Sequence, residues 1–317
     1  MTEDVTAWQH CFINTNQIRL HCVTQGEGEL VVLLHGFPEF WYSWRFQIPA
    51  LSRYYKVVAP DLRGYNDSDK PMDGYDLDTL TADILGLIQG LGYHRAHVIG
   101  HDWGGAIAWH FARRFPTALE RLILLNAPHP IQWFKTLISN RDQLRRSWYL
   151  FAFQIPNLPE WMIQQNLKEF VRHVFQEQAI RKGGFTRDDA TIYQAALEKS
   201  GVLRAALSYY REFLSPHNLV RHWTDIWYSL NLPTLPGQPA INQGIRQIST
   251  PTLVLWGADD PFFSHQLTEE MEKSTCASLK FTLIPHCGHW IQQEAPQTVN
   301  REILQFLRHP HHPSPSS

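Results

Sequence analysis

Three short stretches carry side chains able to do chemistry. In Val98-Ile99-Gly100-His101-Asp102-Trp103-Gly104-Gly105-Ala106 an aspartate stands between glycines as Gly-x-Asp-x-Gly, after an apolar run and before an amphipathic one. This is the nucleophile-elbow pattern with aspartate where serine is usual. A strand reversing into a helix brings backbone segments close together and strains its corner residue, which is what the glycines accommodate. The corner side chain then projects from the carboxyl end of a strand, at a helix start whose free N–H groups and dipole favour an anion. The other two stretches are Gly257-Ala258-Asp259-Asp260-Pro261 and His286-Cys287-Gly288-His289-Trp290. Nucleophile, acid, histidine is one of the chain orders in which such sets recur. On spacing alone, Asp259 and Asp260 compete for the acid position.

A carboxylate nucleophile narrows the chemistry. A serine attacking a saturated carbon would form an ether that water does not cleave, whereas a carboxylate forms an ester. His289, oriented by the acid, can take a proton from water, and the hydroxide attacks the ester carbonyl. The substrate class that follows has an electrophilic sp3 carbon and a leaving group, either an epoxide or an alkyl halide. Ester cleavage passes through an oxyanion needing two N–H donors, expected from Trp103 and from Phe37 in His35-Gly36-Phe37-Pro38. An epoxide's alkoxide needs acidic O–H donors, for which tyrosine is suited; a halide is better held by N–H donors. The middle of the chain offers both, with Tyr149, Tyr209, Tyr210 and Tyr228 beside Trp148 and Trp223, and spacing does not choose.

Positioning these groups requires a particular scaffold. Residues from Trp8 to Thr24 alternate apolar and polar around Asn14-Thr15-Asn16, as two antiparallel edge strands joined by a turn would. Glu29 to Leu34, Lys56 to Ala59, Ala96 to Ile99, Leu119 to Leu125, Thr252 to Trp256 and Lys280 to Pro285 are short apolar runs, as expected of strands buried on both faces. Between Asp76 and Gly92 the apolar positions Leu77, Leu80, Ile84, Leu87, Ile88 and Leu91 recur at helical spacing behind an aspartate N-cap. Ala106 to Phe115 and Val299 to Leu307 have the same period. Strands alternating with helices imply an α/β fold with a mostly parallel central sheet covered on both faces, its site at the strands' carboxyl ends. The segment 131–244 breaks this rhythm. It lacks apolar strand runs, is rich in helix formers and aromatics, and closes on a Pro/Gly/Gln/Asn-rich connector from Pro233 to Gly244. We read it as a helical cap inserted between core parts 1–130 and 245–317, with 309–317 a frayed tail.

Composition sets outer bounds. The 317 residues suffice for a sizeable core, and a net charge of −2 calls for neither nucleic acid nor an anionic membrane as partner. Cys11, Cys22, Cys276 and Cys287 form no CxxC pair, which fits a reducing compartment and argues against structural zinc; Cys287 reads as a packing residue despite its place beside His289. The start lacks the order of a secretory signal, and no window approaches the ~20 apolar residues that span a bilayer. A cytoplasmic protein, monomer or homodimer, without metal or organic cofactor, is expected.

Taken together, the sequence resembles the epoxide hydrolases of the α/β-hydrolase superfamily from about residue 10 to 308. The resemblance rests on His35-Gly36-Phe37-Pro38-Glu39, on Asp61-Leu62-Arg63-Gly64-Tyr65 followed by Ser68, on Gly100-His101-Asp102-Trp103-Gly104-Gly105, and on Cys287-Gly288-His289-Trp290. It implies that Asp260 is the acid, that Tyr149 and Tyr210 donate protons during ring opening, and that the substrate is a small epoxide, apolar to judge by the aromatic cap. Segments 223–228 and 232–245 match no pattern of that family. Dehalogenases share the scaffold, but their second halide donor would fall where this chain has Glu39, a poor partner for an anion. A non-catalytic binding protein on the same fold would have no use for a carboxylate opposite two phenols.

Overall fold

The computed structural model describes residues 8–229, 248–264, 267–268 and 278–308. The connector at 233–244 and the tail at 309–317 lie outside them, as do the side chain of Tyr228 and Cys276. The strands are β1 (Gln9–Thr15), β2 (Ile18–Gln25), β3 (Leu30–Leu34), β4 (Lys56–Pro60), β5 (Ala96–His101), β6 (Leu119–Leu125), β7 (Thr252–Gly257) and β8 (Leu279–Ile284). The helices in chain order are α1 (Gln47–Leu51), α2 (Leu77–Gly90), α3 (Trp103–Arg114), α4 (Pro130–Ser139), α5 (Arg141–Arg146), α6 (Trp148–Ala152) and α7 (Leu158–Gln165). They continue as α8 (Leu167–Arg172), α9 (Arg187–Glu198), α10 (Val202–Phe213), α11 (Pro216–Ser229), α12 (Ile291–Glu294) and α13 (Pro296–Arg308).

The sheet has eight strands in the order β1-β2-β4-β3-β5-β6-β7-β8. From β4 to β8 neighbours run parallel, while β1 and β2 form the antiparallel edge. The inner parallel strands β3 to β7 are buried because alternate side chains feed two separate cores, whereas β8, at the sheet edge, is largely half-buried or exposed and departs from the reading of 280–285 as a strand buried on both faces. Leu30, Val32 and Leu34 of β3 join Ile84 and Leu87 of α2 and Ile107 and Phe111 of α3 on one face. Val31 and Leu33 join Ile48 and Leu51 of α1 and Val299 and Ile303 of α13 on the other. Both faces are thus covered by helices, as the unalternated apolar runs predict.

Two local outcomes differ from the sequence reading. The hairpin turn is Asn16-Gln17 rather than Asn14-Thr15-Asn16: Thr15 pairs with Ile18, and both turn residues have positive φ, the two-residue geometry that matches strand twist. Helix α3 begins at Trp103, three residues before the apolar period becomes visible, because Gly104 and Gly105 carry no side chain to mark it. Asp76 caps α2 by accepting the Thr79 N–H, as expected.

Between β6 and β7 the described chain forms helices only. Helix α10 is tied to the loop after β4, where the Tyr209 hydroxyl donates to the Arg63 carbonyl at 2.7 Å. Helix α5 is tied to the loop after β7: the Gln143 amide donates to the Phe262 carbonyl and accepts the Ser264 N–H, both at 2.8 Å. These contacts fix the helical layer against the carboxyl ends of the strands.

Candidate active site

Asp102 caps α3 with φ +50° and ψ −120°, a strained conformation for a residue with a side chain. The surrounding glycines make room for it. A Cβ on Gly104 would stand 2.1 Å from the Leu34 carbonyl oxygen, and one on Gly36 would stand 2.4 Å from the Asp102 Cβ. This close approach brings the loop after β3 onto the carboxylate, and the Phe37 N–H donates to Asp102 Oδ1 at 2.8 Å. Trp103 is the first residue of α3, so its N–H is among the helix donors with no acceptor inside the helix.

His289 follows β8 and lies against the other carboxylate oxygen, with Nε2 3.7 Å from Asp102 Oδ2. Its Nδ1 meets Asp260 Oδ2 at 2.8 Å. Asp260 is buried against His289, whereas Asp259 is exposed. Asp260 Oδ1 accepts the N–H groups of Phe262 and Phe263 at 2.7 and 3.1 Å. From the helical layer, Arg146 binds the carbonyls of Asp260 and Pro261 at 3.1 Å each.

Sequence reasoning missed two supporting groups. Asn126, directly after β6, donates from Nδ2 to Asp260 Oδ2 and accepts the Gly257 N–H on Oδ1 at 3.1 Å. In the sequence it reads only as the start of a break before Pro128; a polar amide directly at a strand's carboxyl end was the signal available, and the structure shows it with positive φ. Glu39 is buried and does not line the cavity. It accepts from His101 Nδ1 at 2.8 Å and from the amides of Gln292 and Gln293 at 3.0 and 2.8 Å. The opposite nitrogen, His101 Nε2, donates to the His289 carbonyl at 2.9 Å. Glu39 therefore supports the backbone of His289 instead of facing a leaving group.

Asp102 and His289 open into a cavity of about 510 Å³, walled chiefly by Phe37, Phe153, Ile163, Phe170, Val174 and Phe262. Tyr149 and Tyr210 line the same cavity, their rings 5.8 Å apart and nearly perpendicular. Tyr209 and Tyr210 are adjacent on α10 and so point about 100° apart, Tyr209 into the core and Tyr210 into the cavity. The Tyr210 ring also meets the Trp103 indole edge-on, the ring centroids 5.1 Å apart.

The charges are arranged around the carboxylate. Burial alone would raise the Asp102 carboxyl, but the hydrogen bond and charge of His289, then His101 and the Phe37 N–H, hold it below the usual range. Burial opposes protonation of His289, yet Asp260 and Asp102 outweigh it and push the imidazole up to about 10. Burial, followed by the Asp102 charge, raises both tyrosines well above their ordinary range, so both stay protonated. Cys287 is buried and pushed up to about 12, an inert packing residue as read from the sequence.

Among the described residues His21, Asp61 and Asp67 place three ligand atoms within 4.8 Å of one another. Asp61 is already engaged by His21, Asn66 and the Trp41 N–H, and none of the three lines the cavity.

Residues 29–296 match the family model described as alpha/beta hydrolase fold. The chain is 36% identical over 315 residues to epoxide hydrolase 4 of Mus musculus, covering 96% of this chain and 81% of that one. It is 38% identical over 306 residues to an AB hydrolase superfamily protein of Bacillus subtilis, covering 94% and 97%. A solved epoxide hydrolase from Bacillus megaterium, in complex with an inhibitor, superposes with a TM-score of 0.81 at 33% identity, over 94% of this chain and all of that one. The chain belongs to the α/β-hydrolase family, among its epoxide hydrolases.

Proposed function

We propose that this protein adds water to an apolar epoxide, giving a vicinal diol through an ester on Asp102. The observation that carries the reading is one carboxylate with a histidine on one oxygen and a backbone N–H on the other, in an apolar cavity that two protonated phenols share. Asp102 Oδ2 attacks a ring carbon, the carbon–oxygen bond breaks, and the alkoxide takes a proton from Tyr149 or Tyr210. The new ester has no charge, so His289 loses one of the two anions that hold its proton. Its pKa falls and it passes its proton to the tyrosinate; the neutral imidazole then accepts a proton from water as hydroxide adds to the Asp102 carbonyl carbon, and the carboxylic acid left on Asp102 at the end returns a proton to His289. The resulting oxyanion forms on Oδ1, where the Phe37 N–H already sits and the Trp103 N–H is the natural second donor. Collapse expels the diol oxygen, which is protonated by His289, and Asp260 with Asn126 keeps the imidazole oriented throughout.

The apolar walls support an apolar substrate, and the helical segment from 131 onward acts as the cap that encloses it. Burial of Glu39 away from the cavity weakens a dehalogenase reading, because the position where a second halide donor would fall holds a carboxylate that does not reach the cavity. The unpaired Cys11, Cys22 and Cys287 support a cytoplasmic setting. The test is intact-protein mass spectrometry of the His289→Gln variant mixed with styrene oxide, where the ester accumulates as one added substrate mass. A single turnover of the unsubstituted protein in oxygen-18 water then puts the label in the Asp102 carboxylate and leaves the diol unlabelled. Label found only in the diol would refute the covalent route.

A further inference from the structure

The sequence treats the aromatics of the helical segment as core or cavity lining, and part of them is neither. Between residues 144 and 162, Leu144, Trp148, Phe151, Ile155, Leu158, Trp161 and Met162 each expose 43% or more of their surface, up to 67% for Trp148. Exposed apolar side chains occur singly on most proteins, but a concentration within one stretch marks a surface built to be covered. Leu158, Trp161 and Met162 share one face of α7 at helical spacing, and Trp148 and Phe151 share one face of α6. Arg211 holds the turn between those helices from beneath, donating to the carbonyls of Phe153 and Ile155 and pairing with buried Glu160. The patch is therefore a held surface.

Its charge is one-sided. From 144 to 166 the remaining exposed side chains are Pro156, four amides and Arg145; Glu160 is buried, and the exposed carboxylates that flank the stretch, Asp142 and Glu169, are paired with Arg146 and Arg172. The patch also rims the active-site cavity: Trp148 and Met162 are exposed and line it, and Arg145 lines it too. A second copy of the chain seated here would seal that opening. A fluid apolar phase would cover the patch while keeping the opening in contact with solutes dissolved in it.

We propose that the 144–162 surface docks on a phospholipid bilayer, with its tryptophans at the headgroup level and the cavity mouth facing the lipid. Indole rings and arginine are the groups that settle at such an interface, and they do so without a spanning helix. The delivery of apolar epoxides from the bilayer rests on the function proposed above; the docking itself does not. The full chain should sediment with phosphatidylcholine vesicles, more strongly when phosphatidylserine is added. The triple variant Phe151→Ser, Leu158→Ser, Trp161→Ser, whose positions do not line the cavity, should lose roughly a hundredfold in partition coefficient while keeping its far-ultraviolet circular dichroism and its turnover of a water-soluble epoxide. Arg145→Gln should remove the phosphatidylserine increment alone. No sedimentation of the unsubstituted protein with either vesicle overturns the proposal. So does light scattering that finds a dimer split by the triple variant, since the patch then belongs to a second copy. Failure of epoxide turnover with vesicle binding intact counts against the proposed reaction and not against docking.

Discussion

At the scale of single residues, the proposed chemistry turns on a proton that His289 holds in one state and gives up in the next. In the resting protein two carboxylates keep it charged; in the ester only Asp260 remains. Rapid-quench measurements across neutral pH should therefore find ester formation flat, because Asp102 is ionised throughout, and ester hydrolysis rising with pH through a pKa below 10. Asn126 gives a second test at this scale. Asn126→Ala removes a donor from Asp260 Oδ2 without touching the cavity, so hydrolysis should slow by roughly tenfold while ester formation keeps its rate. Equal slowing of both steps would assign Asn126 a merely structural part. Asn126 also marks where sequence reading stops. The corner aspartate, the histidine and the Phe37 turn are legible because a strand end and a glycine pattern announce them. Asn126 acts through a partner 134 residues away, and Glu39 through partners 62 and 253 residues away, and spacing carries no record of such meetings.

At the scale of elements, the strands declare themselves because burial on both faces leaves no room for polar alternation. The helical segment was legible only in kind. Its short helices α5 to α8 start behind Asn140, Ser147, Asn157 and Asn166 at junctions that apolar periodicity does not mark, and their docking depends on side chains such as Gln143 and Arg211. The elbow is the element on which the site depends most. Gly104→Ala would set a methyl group against the Leu34 and His35 carbonyls, which are sheet and loop backbone and cannot withdraw. The expected cost is about 1–3 kcal/mol, read as a lowered midpoint in thermal or urea unfolding, with loss of turnover even below that midpoint as Asp102 leaves the Phe37 N–H. An unchanged midpoint would mean that the β3–α3 contact is looser than described.

For the molecule as a whole, buried histidines set opposing limits on stability. His129 and His222 are buried neutral: burial first, then neighbouring cations at Arg113 and Arg221, lowers them to about 3 and about 4. The unfolded chain takes up their protons as pH drops below 6.5, so the fold loses stability from there down to about 4 for His222 and about 3 for His129. His289 runs the other way. Its pKa, raised to about 10 by Asp260 and Asp102 against burial, gives stability that is complete below 6.5 and lost as pH climbs toward 10. The melting temperature should therefore peak near pH 6.5, and His289→Gln should flatten the alkaline side while leaving the acid side as it was. An alkaline decline of the same slope in that variant would place its origin elsewhere.

The strand order has one more consequence. Everything the proposed reaction uses to seize its substrate, Asp102, Tyr149 and Tyr210, precedes β7, and the base that releases it, His289, lies beyond the helical insertion with its acid Asp260. The captor and the base that frees it are thus written on two separate lengths of chain that meet only because β6 and β7 lie side by side. An ancestor or a truncated relative holding the first length alone would be a trap, consumed by the first molecule it caught.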